Sequence, residues 1–66
     1  MCLSNVYLEE KNQEKLVIEE AEHVISDDEN VHVQALMGEI KDLKGYYISE
    51  VDLIANYVIL KKKQGA

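Results

Sequence analysis

The side chains able to do chemistry are few: one cysteine, Cys2, two histidines, His23 and His32, and thirteen carboxylates. Cys2 directly follows Met1. Its small side chain predicts that a methionine aminopeptidase removes Met1, leaving Cys2 with a free α-amine and a thiol on adjacent carbons. Amine nitrogen and thiolate sulfur then close a chelate ring around a metal ion, and the next backbone amide adds a further nitrogen. Sulfur combined with nitrogen suits nickel, copper or zinc. The plainer alternative is that Cys2 packs as a small hydrophobe in a first strand, as free cysteines commonly do.

No other constellation competes. No serine sits in a glycine-flanked elbow, and no spacing joins a nucleophile to a base, so the sequence does not read as an enzyme. Cys2, His23 and His32 form a conceivable Cys-His-His zinc set. However, His32 lies opposite the apolar register of its segment and His23 sits among glutamates, so both read as exposed surface histidines. Glu9-Glu10, Glu19-Glu20 and Asp27-Asp28-Glu29 lack calcium-loop spacing and read as solvated turns. One Cys2 supplies two good donors. A symmetric dimer that joins two N-termini supplies two sulfurs and two nitrogens, enough for the square-planar geometry of Ni(II) or Cu(II).

The elements that must position such a site are strands. A chain of 66 residues makes one small domain, 1–66, whose marginal core is expected to lean on a metal or on oligomerisation, because a single cysteine allows no intrachain disulfide. The lone cysteine and the lack of a signal peptide or an apolar span of about 20 residues predict a cytoplasmic protein with no membrane segment. Thirteen acidic residues against seven lysines, no arginine and a net charge of −6 make nucleic acid an improbable partner. Lys61-Lys62-Lys63 reads as a solvated tail.

Strands are expected at 3–9, 15–20 and 21–26, with turns at 10–13 and 26–30. Val31, Val33, Ala35 and Met37 alternate with His32, Gln34 and Leu36 in the cleanest strand pattern, which Gly38 closes. Ile40 to Leu43 starts another strand that Gly45 breaks, a bend falls near 49–53, and a last strand covers 56–60. The fold class is therefore all-β, with six or seven short antiparallel strands in a small barrel or sandwich.

Met1 to Leu8, Leu36-Met37-Gly38-Glu39, Val51-Asp52-Leu53-Ile54 and Tyr57-Val58-Ile59-Leu60 resemble the CooT family of small nickel-binding proteins over nearly the full chain. The opening Met-Cys-Leu-Ser followed by a strand is the most specific part. The resemblance implies a homodimer of small SH3-like β-barrels. It also implies a Ni(II) ion shared by the Cys2 residues of two protomers, with the Leu3 backbone amide as an added donor. The nickel-enzyme client it implies is carbon monoxide dehydrogenase, during maturation. An alternative reading keeps the small barrel and drops the metal, leaving a module that binds RNA or a protein.

Overall fold

The computed structural model describes residues 3–64, which form six strands and one short 3-10 turn. The strands are β1 (Ser4–Leu8), β2 (Leu16–Ser26), β3 (Asn30–Ala35), β4 (Ile40–Lys44), β5 (Tyr46–Asp52) and β6 (Tyr57–Lys62). They make one sheet in the order β4-β3-β2-β1-β6-β5. Neighbours run antiparallel except β1 and β6, which pair in parallel from Asn5 beside Tyr57 to Leu8 beside Leu60. The expectation of an antiparallel sheet throughout is corrected here. Strands that follow one another closely must reverse, but the first and last strands are far apart in sequence and free to run the same way.

The closed barrel is corrected as well. β4 and β5 are the two edges of the sheet and do not pair with each other, although only Gly45 separates them in sequence. The sheet must therefore curl until its edges meet at that glycine. Gly45, at φ 82°, has the left-handed backbone that glycine adopts without a Cβ clash. Its N–H donates to the Glu29 carbonyl and its carbonyl accepts from the Lys63 N–H, both at 2.7 Å. The corner is thereby pinned to both the β2–β3 turn and the end of β6.

The two strands expected at 15–20 and 21–26 are a single bent strand. The first half of β2 pairs with β1 and the second half with β3, and the register slips against β1 between Ile18 and Ala21 and against β3 between Ala21 and His23. Glu20, at φ 55°, turns the backbone at the first of these slips. The bulge puts Ile18 and Ala21 on the same buried side at an odd spacing, which hides the period-two signature. The bend expected at 49–53 comes later, because β5 continues to Asp52 and the chain turns over Leu53 to Asn56.

The concave side of the sheet encloses the core: Val6, Ile18, Ala21, Val31, Val33, Ala35, Val58 and Leu60. Leu60, Val6, Val31 and Val33 are the largest fully buried side chains. The alternation read at 31–37 holds through Ala35. Met37 departs from it, at 89% exposure, because the chain leaves the sheet after Ala35 and turns through Gly38. Tyr7 and Ile59 are buried outside this cluster, and the Tyr7 ring meets Tyr57 edge-on, with centroids 6.4 Å apart.

Candidate metal centre

Cys2, the residue on which the sequence places the metal, lies outside the described residues. Leu3, its neighbour, is half-buried and leads straight into β1. That strand lies between β2 and β6, away from both sheet edges, so the first described residues enter the middle of the sheet. Asn5 anchors them. Its N–H donates to the Asn56 carbonyl at 3.1 Å, and its side-chain Oδ1 accepts from the Glu20 N–H at 3.4 Å.

The parallel pairing with β6 sets the start of β1 beside the turn over Leu53 to Asn56. Asp52 builds that turn: its Oδ1 accepts from the N–H groups of Ile54 at 3.0 Å and Ala55 at 2.8 Å. These two donors, Ala55 foremost, hold the Asp52 carboxyl below its ordinary pKa. The turn leaves Leu53 81% and Ile54 94% exposed. Beside it an open hollow of about 280 Å³ is bounded by Ser4, Ala21, Val24, Ile48, Val51 and Leu53, with His23 also on its wall. An apolar patch thus adjoins the strand that leads back to Cys2.

The two histidines come out differently. His23 is exposed, as its sequence context predicts. His32 is half-buried and engaged at both ring nitrogens: Nδ1 lies 2.6 Å from Asp42 Oδ1 and Nε2 lies 3.1 Å from Asp27 Oδ2. The expectation of a plain surface histidine is corrected for this residue. Asp42 is its direct partner across the β3–β4 ladder, and Asp27 belongs to the preceding turn, where it also accepts from the N–H groups of Glu29 and Asn30. The bonds to Asp42 and Asp27 raise the His32 pKa above its ordinary value, and the His32 bond lowers that of Asp27.

The structure also brings the histidines together. His23 and His32 line one small hollow on adjacent strands β2 and β3, with Ile25 and Ile40. Both nitrogens of His32 are nevertheless taken by carboxylates, so the Cys-His-His set loses a free ligand there. Among the described residues, no three His, Cys, Asp or Glu side chains gather into a group able to hold a metal. The sequence reading places the turn a few residues early, at 49–53, and does not find the Asp27–His32–Asp42 cluster. Val51-Asp52-Leu53-Ile54 carries a signal for the turn, since an aspartate before apolar residues in a strand pattern suggests a side-chain-capped reversal.

A family model described as CO dehydrogenase accessory protein CooT matches residues 1–61. The chain belongs to the CooT family. A solved structure described as a CooT from Carboxydothermus hydrogenoformans is similar at a TM-score of 0.78, with 17% identity, covering 96% of this chain and 100% of that one. At that identity the likeness is one of fold, and it supports the six-stranded sheet as the CooT architecture. No curated protein matches the chain. CooT is a family of accessory proteins, and no helix among the described residues of this member is long and apolar enough to cross a membrane.

Proposed function

We propose that this CooT-family chain is a cytoplasmic Ni(II) carrier rather than an enzyme, and that it works as a homodimer binding one metal between two N-terminal stretches. The observation that carries the reading is the exposed Leu53–Ile54 turn beside the start of β1. Apolar side chains this exposed favour association with another surface. A two-fold contact at this end would bury them and bring two Cys2 residues close. Each Cys2 then offers a thiolate and an α-amine, with the Leu3 backbone nitrogen as a further donor, a set suited to square-planar Ni(II). In this reading the curled sheet is an SH3-like barrel that is open along one seam. The metal is cargo, and the family's link to CO dehydrogenase makes that enzyme, during maturation, the proposed client.

The test is native mass spectrometry of the untagged protein, with and without one nickel per two chains. It reads N-terminal processing, oligomeric state and stoichiometry together. The expected result is a dimer lacking Met1 that gains a single nickel and loses it on Cys2→Ser. Nickel bound with unchanged strength and stoichiometry by Cys2→Ser would overturn the site. A monomer that binds the metal alone would overturn the shared geometry.

A further inference from the structure

A second hollow, of about 340 Å³, opens between the first half of β2 and the β3–β4 turn. It reaches the buried Ile18 and Ala35 and is walled by Leu36 and Met37, which are 47% and 89% exposed. Glu19, Glu20 and Glu39 also line it, and no basic residue does. Lys41 Nζ lies 4.0 Å from Glu39 Oε2.

The backbone holds this groove in shape. The Leu36 N–H donates to the Glu20 carbonyl at 3.0 Å, joining the two walls. The Ala35 N–H donates to the Glu39 carbonyl at 2.7 Å, and the Gly38 N–H to the Ala35 carbonyl at 3.0 Å, which fixes the turn carrying Met37. Glu20, at φ 55°, occupies the left-handed conformation that a side chain with a Cβ rarely adopts. Such strain persists where the surroundings impose it and gathers at binding sites.

An apolar floor with carboxylates around it fits one chemistry best. We infer that the groove docks a segment of a partner protein in which lysines or arginines flank apolar side chains. Met37 suits this role, because an unbranched, polarizable side chain adapts to the shape it covers. The carboxylates exclude acidic segments and draw cationic ones, an effect that salt weakens. The groove adjoins β1, since the Glu20 N–H donates to Asn5 Oδ1, but the inference needs no metal and is tested on metal-free protein.

The experiment is an NMR titration of the full chain with a short synthetic peptide in which lysines flank a leucine pair. A peptide with glutamates in place of the lysines is the control. Saturable amide shifts confined to residues 16–20 and 35–39, absent with the control, are expected. Glu19→Lys combined with Glu39→Lys should weaken binding about tenfold, whereas Glu10→Lys combined with Glu14→Lys makes the same change in net charge and should stay within about twofold. Met37→Ala changes an exposed side chain, spares the fold and should also weaken binding. Equal losses in both charge-reversed pairs would reduce the effect to net charge and overturn the proposal. So would shifts centred on Leu53 and Ile54, or the absence of saturation. Concentration-dependent broadening at Lys61 to Lys63 without peptide would assign the groove to a second copy and overturn it too.

Discussion

His32 and Asp42 face each other across the β3–β4 ladder, with Nδ1 2.6 Å from the carboxylate, while the other ring nitrogen reaches Asp27. A neutral imidazole has one N–H and can donate to only one of the two aspartates. Both bonds at once require the imidazolium. The cluster ties the edge strand β4 to the β2–β3 turn and depends on pH. Ile25 lies opposite on β2 with His23 nearby, Lys41 and Lys44 flank Asp42 on β4, and the turn adds Asp28 and Glu29. Lys63 donates to the Asp28 carbonyl from the far end of the chain.

The sign follows from the direction of each shift. His32 titrates above its ordinary 6.5 in the folded protein, so its stabilisation is fully present below 6.5 and is lost as pH rises through the folded value. Asp27 titrates below its ordinary 3.8, so its contribution is present above 3.8 and is lost as pH falls through the folded value. Together they favour the fold between those limits. NMR titration of the His32 ring should give a midpoint above 6.5 that moves down in Asp42→Asn. An unmoved midpoint would show that the Asp42 contact does not set it.

Metal uptake should run the opposite way. A thiol with an ordinary pKa of about 8.5 and an α-amine of about 7.7–8.0 must both lose protons to bind, so nickel affinity should climb steeply between about pH 6 and 8. Isothermal titration across that range checks it. A flat profile would mean that the cysteine terminus is not the donor.

Leu60 is fully buried on β6 and sits beside Leu8 across the parallel pair. Leu60→Ala should cost about 2–5 kcal/mol, which rivals the whole stability of so small a domain. Urea unfolding should show the variant largely unfolded before denaturant is added. A midpoint near that of the parent chain would mean that the core is not centred on this residue.

Glu20 offers a test of backbone geometry. At φ 55°, Glu20→Gly removes the steric penalty and should leave the thermal midpoint equal or higher, whereas Glu20→Val should lower stability by about 1–2 kcal/mol. Similar midpoints for the two variants would mean that the residue does not hold this conformation in solution.

Tyr57 should titrate late. Its hydroxyl donates to Glu50 Oε2 at 2.6 Å, and this bond, with desolvation and the nearby charges of Glu50 and Asp52, pushes its pKa up to about 12. A spectrophotometric titration should show one of the four tyrosines lagging, and Glu50→Gln should bring it down.

The strands were legible wherever alternation ran unbroken. Val31, Val33 and Ala35 gave β3 because each points into the core, and Gly45 marked the corner because no side chain pattern continues across it. Legibility failed where geometry breaks the period. Glu20 bends β2 without a glycine, and Val6 and Tyr7 are buried on successive positions while the register with β2 slips between them. The parallel contact of β1 with β6 joins residues too distant for local pattern to reveal. Cys2 stood out through its place beside Met1 and its donor chemistry. The Asp27–His32–Asp42 cluster did not, because it exists only once the β3–β4 register is set.

The parallel seam between β1 and β6 also bears on when the fold can form. Residues 5 to 8 are held on one side by a segment that begins at Tyr57, so a growing chain cannot complete the middle of its sheet until that segment has been made. Until then β1 has only β2 beside it, and Val6 lacks the cover of Val58 and Leu60. Pairings so distant in sequence close slowly, because loop entropy is lost before contacts compensate it. β1 is consequently among the last strands to be fixed in place.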